Sequence, residues 1–173
     1  MNIFLIGYRG SGKTSVAQAL AEELGWPWID ADAELERRAG KSIKEVFESG
    51  GEPEFRDLES AVVTDLAQLD RHIIALGGGA ILRQANRTAL AGRGKFIWLQ
   101  ASPEVLLTRI QGDATTAARR PNLTGQGGLA EIRSLLEART PVYAACADVT
   151  INGEQRSPAE IAQQIISELS LEG

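Results

Sequence analysis

The chain has 173 residues, of which 43% are hydrophobic and 24% charged, and its formal net charge is -5. This composition is typical of one soluble globular domain over residues 1–173, and the charge, without a large basic block, argues against nucleic acid as a partner. A single cysteine, Cys146, excludes an internal disulfide, and because no apolar run approaches the roughly 18 residues that span a bilayer, we expect a cytoplasmic protein without membrane contacts.

Short apolar runs alternate along the chain with stretches of helical periodicity. The runs that predict strands are residues 2–6, 27–30, 72–76, 95–99 and 148–151. Most are continuously apolar, as expected of strands that are covered on both faces of a parallel sheet. Apolar residues recur at helical spacing within residues 58–69 and 161–169, and Ser102 and Ser157, each followed by proline, predict helix N-termini. The alternation predicts an α/β doubly wound domain.

The first motif is GYRGSGKT at residues 7–14, called the phosphate loop below. It fits the pattern G-x-x-x-x-G-K-[ST] and lies between a predicted strand and a predicted helix, which is the context that this motif requires. Its glycines let backbone N–H groups turn inward to bind anions. In this motif Lys13 would bridge the β- and γ-phosphates, and the Thr14 hydroxyl would bind Mg²⁺. We therefore expect the domain to bind ATP or GTP.

Two carboxylates, Asp30 and Asp32, follow at the end of the second predicted strand. The carboxyl ends of parallel strands border the crevice where α/β sheets bind ligands. One carboxylate would organise the water around Mg²⁺ while the other meets a substrate hydroxyl. The alternative is that one of them caps the helix predicted at residues 33–39.

Arg56 belongs to the stretch FRDLE, which follows a glycine-bearing turn predicted at residues 49–52. Near the start of a helix it either forms a surface ion pair with Glu52 or Glu59, of little energetic value, or grips a substrate carboxylate or phosphate with its guanidinium fork. The stretch alone leaves both interpretations open.

Gly77, Gly78 and Gly79, called the glycine turn below, follow the third predicted strand. Three consecutive glycines cost backbone entropy, which indicates that another group approaches the main chain closely. That group is either a neighbouring element or a flat ligand. Together with the carboxylates and Arg56, the glycine turn predicts a phosphotransferase whose acceptor carries hydroxyls and an anionic group, so that a hydroxyl-rich acid fits better than a nucleoside monophosphate.

Residues 112–128 carry almost no large apolar side chain and include the paired Arg119 and Arg120. A loop of this length in a compact domain is either disordered or functional. The two arginines favour a mobile lid over a plain surface loop.

In chain order the motifs are GYRGSGKT, DAD, SIKEVFESGGEPEFRDLE, GGG, RRPNLTG, LEARTPVY and NGEQRSPAEI. Together they closely resemble the shikimate kinase family over residues 2–169. The phosphate loop is shared by a vast superfamily, whereas FRDLE after DAD, with GGG after the third strand, is far more specific. The resemblance implies a three-layer α/β sandwich of P-loop kinase type, with five parallel strands in the order 2-3-1-4-5 and a mobile lid. It also implies transfer of the ATP γ-phosphate to the 3-hydroxyl of shikimate, on the route to chorismate and the aromatic amino acids.

On the nucleotide side, the resemblance implies that the phosphates of ATP are lined by Gly10, Ser11, Gly12, Lys13, Thr14 and Ser15. It implies Mg²⁺ at Thr14, with Asp30 acting through water. Arg120 of the lid matches an arginine that reaches the nucleotide phosphates, as a catalytic group beside Lys13. Arg109 and Arg156 resemble adenine-side contacts.

On the acceptor side, Asp32 resembles the residue that binds the shikimate hydroxyls and is the candidate proton acceptor. Arg56 and Arg139 match the pair that holds the substrate carboxylate, and the glycine turn offers its backbone to the substrate. The shikimate-binding region would then cover about residues 32–60. Because no long apolar stripe is left unassigned, we expect a monomer with ATP and shikimate as its only partners.

Two other functions compete with this interpretation. Another small hydroxy-acid kinase, such as a gluconate kinase, has a similar acceptor, but the combination DAD, FRDLE and GGG does not resemble that family. A regulatory module that binds nucleotide without turnover would be expected to lose Lys13, Asp32 or the lid arginine, and all three are present.

Overall fold

In a computed structural model, which describes residues 1–113 and 127–171, the core of the protein is a single sheet. The strands are β1 (Asn2–Ile6), β2 (Trp28–Asp30), β3 (Ile73–Ala75), β4 (Gly94–Gln100) and β5 (Val149–Asn152). All neighbouring strands pair in parallel, and the order is β2-β3-β1-β4-β5. The predicted parallel sheet and its order are therefore confirmed, and the observed strand ends differ from the predicted ones by one residue at most.

Seven α-helices within the described residues cover the sheet. They are α1 (Lys13–Leu24), α2 (Ala31–Ala39), α3 (Ile43–Leu66), α4 (Gln84–Leu90), α5 (Pro103–Gly112), α6 (Gly128–Cys146) and α7 (Pro158–Glu168). The predicted caps are confirmed, because the hydroxyls of Ser102 and Ser157 accept the backbone N–H groups of Val105 and Glu160. None of the described helices combines the length and the apolar character needed to cross a bilayer.

The sheet is buried on both faces, as the continuous apolar strands predicted. In β1, Phe4 and Ile6 belong to one core cluster with apolar residues of α2 and α3, whereas Ile3 and Leu5 belong to a second cluster with residues of α1 and α7. Successive side chains of a strand point to opposite faces, so β1 contributes to both clusters. The result is the predicted three-layer sandwich.

The turn predicted at residues 49–52 is instead a kink inside α3. The helix is interrupted at Gly51, where φ is 70° and ψ is -169°. Pro53 follows at once, in the first turn after the break, where a helix does not need a proline N–H. Arg56 is therefore near the start of a helical segment, as predicted.

The predicted lid, residues 112–128, lies almost entirely outside the described residues, as do Arg119 and Arg120. The two ends of the predicted segment are helical, since Gly112 ends α5 and Gly128 begins α6.

Candidate active site

A cavity of about 440 Å³ opens at the carboxyl ends of β1, β2 and β3. Ligands bind at this edge of parallel α/β sheets, because the loops that follow the strands meet there. The walls come from the phosphate loop, the end of β2, the glycine turn and the end of α5. The polar side chains of the lining include those of Arg9, Lys13, Thr14, Asp30, Asp32 and Arg109.

The phosphate loop is shaped by glycines in a backbone conformation that other residues rarely adopt. Gly7, Gly10 and Gly12 have φ values of 144°, 82° and 95°. A Cβ at Gly7 would also lie 2.6 Å from the carbonyl oxygen of Leu99, so the loop passes tightly over the end of β4. Because α1 begins at Lys13, the N–H groups at its N-terminus lie beside the cavity, where they favour an anion.

Lys13 is held close to the cavity by the loop itself. Its Nζ donates to the carbonyl oxygens of Gly7 at 2.6 Å and Tyr8 at 3.0 Å. These short bonds keep a positive charge beside the helix N-terminus. An incoming phosphate would find both a cation and backbone donors at the same place.

The two predicted carboxylates both line the cavity, and Asp30 has two roles at once. Its Oδ1 accepts the backbone N–H groups of Asp32 at 2.9 Å and Ala33 at 3.3 Å, so it is the N-cap of α2, which begins at Ala31. Its Oδ2 accepts the hydroxyl of Thr14 at 3.3 Å. The capping alternative is thus confirmed for Asp30, and its role at Mg²⁺ stays a prediction, with which the cap is compatible. Asp32, in the first turn of α2, is half-buried.

The oxygens of Thr14 and Asp30 fit the needs of Mg²⁺. Magnesium prefers hard oxygen ligands, keeps several waters, and is usually bound by one or two protein groups together with substrate phosphates. A hydroxyl and a carboxylate 3.3 Å apart, beside a phosphate-binding loop, match that pattern. Residues 1–113 and 127–171 contain no group of three or more His, Cys, Asp or Glu side chains that could hold a metal without such help.

Arg56 is a buried cation rather than a surface one, with 8% of its area exposed. Its Nη1 donates to Oε1 of Glu59 at 2.8 Å, and its Nε lies 3.4 Å from Glu52. Glu59 is itself 3% exposed, so this is not the weak surface pair that the sequence allowed. A Cβ on Gly79 would lie 2.6 Å from both terminal nitrogens of Arg56. The group that approaches the glycine turn is therefore, in part, a guanidinium.

Arg139, from α6, reaches the same turn and is 5% exposed. Its Nη1 would lie 3.2 Å from a Cβ on Gly78, and its guanidinium lies 5.5 Å from the centre of the Tyr8 ring. Its buried Nε has no hydrogen-bond partner within the described residues. A buried charge with an unused donor is costly, and an anion would relieve that cost. Arg56 and Arg139 are called the arginine pair below.

Sequence reasoning did not identify the ion pair that joins the phosphate loop to α6. Nη2 of Arg9, which lines the cavity, lies 3.7 Å from Oε2 of Glu131, and Glu131 is 1% exposed. Burial raises the pKa of the neighbouring Tyr8 hydroxyl, while Arg9 and Arg139 act in the opposite direction. Arg9 could have been noticed because it lies inside the motif. For Glu131, a helical acid like many others, the sequence carries no signal.

The remaining predicted residues lie in different places. Arg109 lines the cavity and donates to the carbonyl oxygens of Gly10 at 3.2 Å and Gly153 at 3.3 Å. Ser11 is buried, and it lines a second, smaller cavity together with Tyr8 and the end of β4. Arg156 lines a separate surface cavity, where it bonds to Gln164. Arg120 lies outside the described residues.

A phosphate loop between β1 and α1, a central β1 and acidic groups at the end of β2 define a P-loop kinase. The family model for shikimate kinase matches residues 9–170. The chain belongs to the shikimate kinase family.

Individual relatives agree with the family model. The shikimate kinase of Rhodopirellula baltica is 45% identical over 95% of this chain and 88% of its own length, and that of Symbiobacterium thermophilum is 43% identical over 100% and 98%. Among solved structures, a shikimate kinase from Acinetobacter baumannii in complex with shikimate has a TM-score of 0.91 at 36% identity, covering 98% of this chain and 92% of that one. A gluconokinase from Sinorhizobium meliloti, with a TM-score of 0.63 and 23% identity over 98% of this chain and 91% of its own, shares the fold alone.

Proposed function

We propose that the chain transfers the γ-phosphate of ATP to the 3-hydroxyl of shikimate, giving shikimate 3-phosphate and ADP. The observation that carries this proposal is the arginine pair, two buried guanidiniums against adjacent residues of the glycine turn, one with an unused buried donor. Such a pair fits a carboxylate. The relative from Acinetobacter baumannii, which was solved with shikimate, supports the same acceptor.

On the nucleotide side, the phosphates would lie along the backbone of residues 10–15, with Lys13 beside the β- and γ-phosphates. Arg109, between the phosphate loop and Gly153, would face the rest of the nucleotide. Thr14 and, through water, Asp30 would hold Mg²⁺, which neutralises the phosphate charge when it is bound. Roles for Arg156 in adenine binding and for Arg120 on the phosphates remain predictions from the family resemblance.

On the acceptor side, the arginine pair would hold the carboxylate of shikimate, and the glycine turn would offer backbone N–H groups. Asp32 would bind the ring hydroxyls, since it lines the cavity next to the phosphate loop. This arrangement would put the carboxylate at one end of the acceptor and the reacting hydroxyl near the γ-phosphate. Positioning of this kind is most of what a phosphoryl transfer requires from the protein.

In the reaction, the 3-hydroxyl oxygen forms a bond to the γ-phosphorus while the bond to the β–γ bridging oxygen breaks. ADP leaves with that electron pair, and the hydroxyl proton passes to the Asp32 carboxylate. Lys13, held by its loop, stabilises the charge on the transferred group. The product belongs to the route to chorismate, and we further propose that the enzyme works as a cytoplasmic monomer.

The proposal is tested by measuring ADP release with shikimate, with gluconate and without an acceptor. We expect release that depends on shikimate and produces one shikimate 3-phosphate for each ADP. Release that depends on gluconate instead would favour the other hydroxy-acid kinase. Nucleotide binding without release under any condition would favour a regulatory module.

A further inference from the structure

The glycine turn is held from the core side by a residue to which the proposed reaction gives no role. The hydroxyl of Tyr143, in α6, donates a hydrogen bond to the carbonyl oxygen of Gly78. Tyr143 is fully buried, and its ring packs against that of Trp98 in β4, with centroids 5.6 Å apart. Packing therefore fixes the hydroxyl, and the hydroxyl fixes the direction of the Gly78 carbonyl.

That direction also decides where the next amide points. A trans peptide group is planar, so its carbonyl and its N–H point in opposite directions. Because the Gly78 carbonyl points to Tyr143 in the core, the N–H of Gly79 points away from the core. Within residues 1–113 and 127–171 this N–H donates to no backbone carbonyl.

The same amide lies beside the two cations of the proposed carboxylate site. Gly79 lies against the guanidinium of Arg56, and Gly78 lies against that of Arg139. A carboxylate accepts hydrogen bonds at both of its oxygens, so it can take one from a backbone amide in addition to those from guanidiniums. The glycine turn has no side chains to restrain its peptide groups, and an external partner is needed to keep this one in a single orientation.

We infer that Tyr143 is a positioning residue, which orients the Gly78–Gly79 peptide so that the Gly79 amide donates to the substrate carboxylate. The inference rests on the proposed function, since it takes the carboxylate of shikimate as the acceptor. Tyr143 itself touches neither substrate. It acts through the peptide group that its hydroxyl holds.

The test is Tyr143→Phe, which removes the hydroxyl and keeps the ring. Loss of one ordered hydrogen bond to a carboxylate should raise the KM for shikimate about fivefold to tenfold, while the KM for ATP stays within about twofold. The matched control is Asn2→Ala. Asn2 is fully buried and donates to the carbonyl oxygen of Leu69 at 2.7 Å, at the amino end of β1, away from the cavity. This control should lower the melting temperature and leave both KM values unchanged.

A second readout follows the amide directly, by NMR of protein with ¹⁵N-labelled glycine. In the wild type, shikimate should shift the Gly79 amide resonance strongly, and shikimate methyl ester should shift it much less. In the free protein, Tyr143→Phe should already move this resonance, whereas Asn2→Ala should not.

The inference is overturned if Tyr143→Phe keeps the wild-type KM for shikimate, if it raises both KM values equally, or if shikimate binds to the wild type and leaves the Gly79 resonance in place. Failure of the proposed function is a different result, because the wild type itself would then not phosphorylate shikimate. Even in that case, an unchanged Gly79 resonance in free Tyr143→Phe would refute the positioning role, and a moved one would support it.

Discussion

The phosphate loop and the arginine pair are built in different ways. The phosphate loop takes its donors from consecutive residues, its glycines have positive φ values, and Lys13 bonds to carbonyls of the same loop. The arginine pair comes from two helices far apart in the chain, α3 and α6, which meet at a third segment, the glycine turn. One site is a property of a short stretch of backbone, and the other exists only once the domain has folded.

The two regions also differ in how they keep their charges. The phosphate loop offers backbone dipoles and one lysine at an open cavity, where water can satisfy them before a ligand arrives. The arginine pair is buried, with Glu59 as a partner for Arg56 and the Tyr8 ring beside Arg139. We therefore expect substitutions in the loop to act through backbone conformation, and substitutions near the arginine pair to act through contacts.

The largest effect is expected at Asp32, which lines the cavity together with the phosphate loop and with Gly78 of the glycine turn. Asp32→Asn keeps the shape and one acceptor oxygen but loses the charge and the base, so turnover should fall at least about 10²-fold. ATP binding should be retained, and Asp32→Ala should in addition weaken shikimate binding. Initial rates and equilibrium binding measure these effects. Near-normal turnover of Asp32→Asn would show that this residue is neither the base nor an essential aligner.

Truncation of Arg56, one of the arginine pair, should weaken the binding of shikimate but not that of ATP. Arg56→Ala removes a buried guanidinium fork and its hydrogen bond to Glu59, so shikimate binding should weaken by about 2–4 kcal/mol while ATP affinity hardly changes. Calorimetric titration with each substrate is the measurement, and the control is Arg37→Ala, which removes an exposed arginine paired with Glu34. If Arg56→Ala lost affinity for ATP and kept its affinity for shikimate, Arg56 would not belong to the acceptor site.

A substitution in the glycine turn should act through a steric contact with a neighbouring side chain. Gly79 has an ordinary φ of -104°, but a new Cβ would lie 2.6 Å from the guanidinium of Arg56, which Glu59 holds in place. Gly79→Ala should therefore displace Arg56 and cost about 1–3 kcal/mol in shikimate affinity, with little change for ATP.

The matched control for this substitution is Gly12→Ala in the phosphate loop. Among the residues that the structure describes, no atom lies within 4 Å of the added Cβ, but φ is 95°. The cost of about 1–2 kcal/mol should therefore come from the backbone alone and should appear as weaker ATP binding. If Gly79→Ala and Gly12→Ala weakened the binding of the same substrate, the assignment of the two regions to different substrates would be wrong.

The smallest effect is expected far from both regions, at Glu34. Hydrogen bonds from Arg37 and Arg38 lower the pKa of Glu34 to about 2. Because this pKa is below its ordinary value of 4.5, the stabilisation is present above that pH and is lost as the pH falls towards 2. Exposure to solvent limits it to about 0.5 kcal/mol.

Glu34→Gln should thus lower the free energy of unfolding slightly at pH 7 and not at pH 2, with both KM values unchanged. Denaturant unfolding at the two pH values measures the difference. A larger difference at pH 2 than at pH 7 would contradict the assignment of this ion pair.

Much of the fold could be predicted because its signals are local. The continuous apolar strands, the caps at Ser102 and Ser157 and the phosphate loop each depend on a few neighbouring residues, since backbone conformation and periodicity are short-range properties. The strand order came from the family resemblance, and the structure confirms it. The kink at Gly51 was predicted as a turn, because a glycine pair indicates a break but not whether the helix resumes after it.

The sequence by itself determined that residues 7–14 form a phosphate-loop motif between a strand and a helix, that carboxylates follow β2 and that Arg56 has an acid three residues away. Only the tertiary structure decided that the Arg56–Glu59 pair is buried and that Tyr143 donates a hydrogen bond to the Gly78 carbonyl. It also decided that Arg139 contacts the same turn, with no hydrogen-bond partner for its Nε among the described residues. The reason is physical. Burial and contact between distant segments depend on how the helices pack over the sheet, and no stretch of neighbouring residues encodes that packing by itself.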